Sequence, residues 1–294
     1  MCGITGLVLS KRDRTEAEYA EITRQFTEQL IAAQSRGTDA AGVYILNEKG
    51  EHYYYRAPLA AKALVNTPDF QAVLSHVGAS TIAIVGHTRA ATTGSPLVVD
   101  NNHPIYDAPL IGVHNGVIYN HRNLRNQYGA VSDVDSAVIL STIKAHMGDE
   151  LLTHGIIRQA MREVDGSWAI AVADIRQEQI FLARNDKSPM EMFHGRKQGI
   201  TFFGSTHSII SAGFDIDIET VSLPAFAVTT LNRVSAKGRQ ICYTPLMKPK
   251  RKTLAIKPTR FRFSPTDSWT YTDTELEDWE LAQLGLAEDI YNDS

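Results

Sequence analysis

Apolar positions along the chain switch repeatedly between strand-like and helix-like spacing. Ile4 to Leu9 is a short apolar run beginning close to the first residue, and it predicts a strand. Over Thr15 to Ser35, Tyr19, Ile22, Phe26, Leu30 and Ala33 recur at helical intervals, and Arg36-Gly37 supplies the stop. Gly42–Leu46 and His52–Tyr55 predict a strand pair across Asn47–Gly50, and the β-branched run in Ser80–His87 another strand. Pro109–His114 and Gly116–Tyr119 flank Asn115-Gly116, a dipeptide that predicts a tight turn. Ser136–His146 and Glu150–Val164 predict two helices. Trp168–Ala173 is apolar throughout, and its shortness favours a buried strand, pairing with Gln179–Arg184. Thr201–Phe203 and Ala225–Leu231 supply later strands. Strand pairs separated by helix pairs predict sheet packed on sheet with helices outside.

Composition narrows the class. The 294 residues are 43% hydrophobic and 21% charged, close to a globular average. Lys plus Arg number 29 against 33 Asp plus Glu, net −4, so no overall basic field favours nucleic acid. There are two cysteines, Cys2 and Cys242, too few for a disulfide framework. No apolar run approaches the roughly 18–20 residues that cross a bilayer. The N-terminus lacks a basic region ahead of its apolar stretch, so a cytoplasmic location is expected.

Charge is unevenly distributed. Residues 248–262 hold seven Lys/Arg and no acid, and residues 266–294 hold nine Asp/Glu and no Lys or Arg. The expected organisation is a globular body over 1–245, a basic linker over 246–265 and an acidic tail over 266–294. Within the tail, Leu276, Trp279, Leu284, Leu286, Ala287, Ile290 and Tyr291 fall on one broad helical face. That face suits a partner enzyme or the body of the same chain.

Several positions could carry chemistry. With Met1 removed, Cys2 would hold a thiol and a free α-amine on one residue. An α-amine of pKa about 7.7–8 can act as base for its neighbouring thiol. A buried packing cysteine is the plainer alternative. Asn115 and Gly116 could direct a carboxamide N–H and a backbone N–H at one oxyanion, or form only a turn. Arg89, leaving a strand into the loop containing Thr92 and Thr93, suits a bidentate grip on a carboxylate, or a solvated surface position. Asp135, before a predicted helix, could hold an ammonium or serve the helix N-terminus. His76, His87, His103 and His114 lack metal-ligand spacing, and no cofactor motif is present.

In order, Cys2-Gly3-Ile4, Arg36-Gly37-x-Asp39, Thr88-Arg89, Asn102-His103-Pro104, His114-Asn115-Gly116, Asp135-Ser136 and Gly166-Ser167-Trp168-Ala169 resemble one family. It is the class II glutamine amidotransferases, whose glutaminase domain has an N-terminal nucleophile. The resemblance spans roughly residues 2–245. Its wording is similar in part to phosphoribosylpyrophosphate amidotransferase and in part to glucosamine-6-phosphate synthase.

The resemblance implies an α+β fold, a four-layer αββα sandwich of two mainly antiparallel sheets. It implies Cys2 as nucleophile with its α-amine as base, and Asn115 and Gly116 as the oxyanion hole. Arg89 would bind the glutamine α-carboxylate and Asp135 its α-ammonium. Thr92 and Thr93 would line the pocket, and Arg36 would support the nucleophile. Glutamine would yield glutamate and ammonia without metal or cofactor. An amidohydrolase acting alone on glutamine or another γ-glutamyl amide is the alternative.

Two departures stand out. Ala90 occupies the position where those relatives carry an aromatic residue that helps close the loop over glutamine. About fifty residues follow position 245, too few for a synthase domain, so the ammonia acceptor is expected on a separate chain.

Overall fold

In the computed structural model, residues 1–233 and the strand at 241–245 are described. The expected linker and acidic tail lie outside these residues. The first sheet contains β1 (Gly3–Leu9), β2 (Ala40–Asn47), β3 (His52–Ala57), β4 (Thr81–Arg89), β9 (Glu191–Gly195), β10 (Ile200–Gly204) and β11 (Val221–Ser222). Their order is β11-β9-β10-β1-β4-β2-β3. The second sheet contains β5 (Ile105–Asp107), β6 (Leu110–Ile118), β7 (Gly166–Asp174), β8 (Gln179–Arg184), β12 (Ala227–Asn232) and β13 (Ile241–Pro245), ordered β13-β12-β8-β7-β6-β5. Every strand pair among the described residues is antiparallel.

Three apolar cores make four layers. Between the sheets, Ile4, Val8, Tyr44, Val85 and Phe203 meet Ile111, Val113, Ala171, Leu182 and Leu231. On the outer face of the first sheet, Leu7, Val43, Ile84 and Phe202 pack under α1 (Glu16–Ala33), α2 (Ala61–Leu64), α3 (Pro68–Leu74) and α7 (His207–Ser211). On the outer face of the second, Ile118, Ile170, Val172 and Phe181 pack under α4 (His121–Tyr128), α5 (Asp135–Met147) and α6 (His154–Met161). Inner strands are therefore covered on both sides. This explains why β1 and β7 read as unbroken apolar runs rather than alternating ones. The fold is the αββα sandwich anticipated above.

Local sequence accounts for the long elements. Thr15 caps α1 in a reciprocal box, accepting from the Glu18 N–H while the Glu18 carboxylate accepts from the Thr15 N–H. Buried Ile22, Phe26 and Leu30 form the helix's inner stripe.

One expectation is overturned. No turn occurs at Asn115-Gly116, because β6 runs unbroken through both residues, paired Asn115 to Ala169 and Gly116 to Trp168. Gly116 takes φ +137° and lies against β7, where a Cβ would come 1.9 Å from the Ser167 carbonyl oxygen. The glycine lets β6 pack closely against β7 instead of reversing the chain.

Candidate active site

The candidate residues come from both sheets. Cys2 immediately precedes β1, and the register opposes Gly3 to Thr88 at the end of β4. This brings the thiol beside Ala90, whose N–H donates to Cys2 Sγ at 3.4 Å. Burial pushes the thiol pKa above its ordinary value, and Asp135 adds to the rise; the Ala90 N–H, the chain's N-terminal charge and Arg89 pull it down. Burial dominates, so the sulfur rests as a neutral thiol and needs a base to become nucleophilic. Met1 precedes it and is 84% exposed.

Arg36 closes the turn after α1, and its Nε donates to the Cys2 carbonyl at 2.7 Å. The next residue must be glycine, since a Cβ on Gly37 would lie 2.4–2.6 Å from the Arg89–Ala90 backbone. The Asp39 N–H donates to the Arg89 carbonyl at 3.0 Å, and the Asp39 carboxylate accepts from the Ala91 N–H at 2.7 Å. The Arg36-Gly37-x-Asp39 segment thus grips residues 89–91.

Arg89 is 3% exposed. Its Nη1 donates to Asn102 Oδ1 at 2.8 Å, and its Nη2 to the carbonyls of Thr93 and Gly94 at 2.5 and 2.9 Å. The guanidinium therefore anchors the base of the loop that follows it. Thr92 is exposed and Thr93 half-buried on that loop.

Asn115 is buried in β6, and its Nδ2 donates to Ser205 Oγ at 2.7 Å. His87 reaches across from β4, its Nε2 lying 3.0 Å from the His114 carbonyl oxygen. Burial lowers the His87 pKa to about 3, so the ring is neutral and donates this bond. Burial also lowers His103 and His114, with Asp135 opposing the shift at His114. Asp135 begins α5 behind Val134 and does not cap it. Its Oδ2 accepts from the Ile118 N–H at 2.8 Å. Asp135 thereby ties the helix start to the end of β6.

Asp135 thus lies close enough to Cys2 and Arg89 to bias the ionisation of both. Arg36, Thr93 and Gly94 attach to the same cluster, and Asn115 joins through Ser205 and the start of β1. Among the described residues, no group of three His, Cys, Asp or Glu is arranged to hold a metal, and no helix is long and apolar enough to cross a membrane. Asp39, His87 and Ser205 escaped sequence inspection as contributors to this region. The Asp39 position in the Arg-Gly-x-Asp motif was the one available signal.

Known proteins resemble this chain in sequence and fold. The profile of the glutamine amidotransferase domain matches residues 87–212. The glutamine–fructose-6-phosphate aminotransferase (isomerizing) of Geobacillus kaustophilus is 32% identical over 197 residues, covering 65% of this chain and 30% of the relative. That of Thermosynechococcus vestitus is 32% identical over 257 residues, covering 83% and 38%. Glutamine phosphoribosylpyrophosphate amidotransferase from Bacillus subtilis superposes with a TM-score of 0.62 at 17% identity, covering 84% of this chain and 49% of that one. The chain contains a class II glutamine amidotransferase domain. The relatives extend well beyond this domain: the chain spans about a third of the length of the curated proteins it matches.

Proposed function

We propose that the protein hydrolyses glutamine to glutamate and ammonia through Cys2, and that the ammonia passes to a synthase on a separate chain. The observation that carries this reading is the clustering of Cys2 with Arg89 and Asp135, whose charges act on the thiol in opposite directions. Free glutamine is a zwitterion. A buried guanidinium for its α-carboxylate and a carboxylate for its α-ammonium select an amino-acid head group, which another amide substrate would lack.

In the proposed reaction Met1 is removed first, leaving the α-amine on Cys2. The amine takes the thiol proton as sulfur bonds to the side-chain carbonyl carbon, and the π electrons move onto oxygen. The Asn115 carboxamide and Gly116 N–H stabilise that oxyanion. Collapse breaks the C–N bond, and the nitrogen leaves as ammonia carrying the transferred proton. Water then attacks the γ-glutamyl thioester, restoring the thiol and releasing glutamate. Thr92 and Thr93 border the pocket, and Arg36 steadies the Cys2 peptide. A nucleophilic thiol has to stay reduced, which fits the expected cytoplasmic setting.

Purified protein should release glutamate from glutamine, and intact mass should lack the Met1 residue. A glutamine-like diazo-ketone should add its mass to Cys2, and Cys2→Ala should abolish both turnover and labelling. Turnover surviving in Cys2→Ala would remove the nucleophile assignment. Hydrolysis of other γ-glutamyl amides at rates matching glutamine would favour the stand-alone amidohydrolase. For the partner, capture of a synthase on the immobilised full chain is expected, and capture undiminished by deletion of 266–294 would exclude the tail as docking element.

A further inference from the structure

Ser205 directly follows β10 and is completely buried. Its Oγ accepts from the Ile4 N–H at 2.8 Å and from Asn115 Nδ2 at 2.7 Å, while its own N–H donates to the Ile4 carbonyl at 2.9 Å. One side chain therefore joins the strand that begins beside Cys2 to the strand of the second sheet that carries Asn115. We infer that Ser205 is a positioning residue for glutamine hydrolysis, holding the Asn115 carboxamide in register with Cys2. This inference rests on the function proposed above.

The physical case begins with the asparagine. Its terminal torsion is broad and close to two-fold, so packing alone fixes the amide plane poorly. Committing one Nδ2 hydrogen to Ser205 sets that plane and leaves the second hydrogen with a defined direction. A donor oriented before the oxyanion forms costs no reorganisation when charge develops. Asn115 Oδ1 is buried and makes no close hydrogen bond among the described residues, while the neighbouring His87 ring lies near enough to the Asn115 side chain to interact with it. The Ile4 N–H on the same oxygen ties the arrangement to a point two residues from the sulfur. His87 acts on the backbone in the same sense, through the carbonyl of the peptide that also contains the Asn115 N–H.

The test is steady-state glutaminase kinetics on the full-length protein. Ser205→Ala should lower kcat by about 10- to 100-fold, less than the roughly 10²–10³ of deleting an oxyanion donor outright, with KM within about twofold. In an Asn115→Ala background the same substitution should change kcat by less than about threefold, because residues acting through one another are not additive. Ser205→Thr keeps the acceptor oxygen and should recover kcat to within about threefold of wild type. Melting curves check folding. If Ser205→Ala does not fold, Ser205→Cys, with a weak sulfur acceptor, replaces it with the same expected loss. An unchanged kcat, a loss seen only in KM, or an equal loss in the Asn115→Ala background overturns the inference while leaving glutamine hydrolysis intact. A wild-type protein that leaves glutamine untouched overturns the proposed function and this inference with it.

Discussion

Gly116 shows how far a single residue constrains this region. Its φ of +137° and its contact with the Ser167 carbonyl leave no room for a methyl group. Gly116→Ala should destabilise the protein by about 2 kcal/mol or more in chemical denaturation, combining backbone strain with a clash against backbone. An unchanged midpoint would contradict the positive φ and close packing at this position. The same residue explains a misreading, since Asn-Gly between apolar runs looks like a hairpin until its partner strand is known. Ser205 was illegible for a different reason: a lone serine carries no spacing signal, and its value arises from Ile4 and Asn115, remote in sequence. The buried histidines give a pH prediction. His87 has a folded pKa near 3 against about 6.5 unfolded, so the unfolded chain binds more protons between these values. This contribution to stability is fully present above about pH 6.5 and is lost as pH falls towards 3. Melting temperature should therefore drop with acidification across that window, and a flat profile would contradict the neutral buried ring.

At the level of elements, legibility followed length and capping. The α1 helix was clear because eighteen residues give several turns of periodicity and Thr15 with Glu18 marks its start. Thr15→Ala should cost about 1 kcal/mol in urea denaturation, and no cost would argue against the capping box. The α6 helix begins at His154 under a Thr153 cap, later than the predicted Glu150, because the apolar period continues back past the true cap. The α2 and α3 helices are too short for periodicity to reveal. Asp135 looked like a possible helix-end residue, yet its carboxylate serves the Ile118 N–H. Asp39 links the β2 start to the segment after Arg89. Asp39→Ala should loosen that segment and raise the KM for glutamine several-fold; unchanged kinetics would show that the loop is held without it.

For the molecule as a whole, alternating strand and helix pairs were enough to indicate two stacked sheets. They could not indicate which strands meet, because β1 pairs with β4 and β10 rather than with its sequence neighbours. The interlayer core has one polar flaw: Tyr44 is wholly buried, and its hydroxyl has no partner among the described residues. Tyr44→Phe should leave stability unchanged or raise it by about 1–2 kcal/mol, since an unsatisfied buried hydroxyl carries a cost. A clear loss on denaturation would reveal a partner for that oxygen. The central position of β1 has a practical consequence. With β1 paired to β4 from Gly3 and to β10 from Thr5, an affinity tag or uncleaved leader fused ahead of Cys2 would start directly at the proposed nucleophile. Under the proposed mechanism, recombinant material made that way would lack the free α-amine and should stay inactive until it is processed to a free second residue.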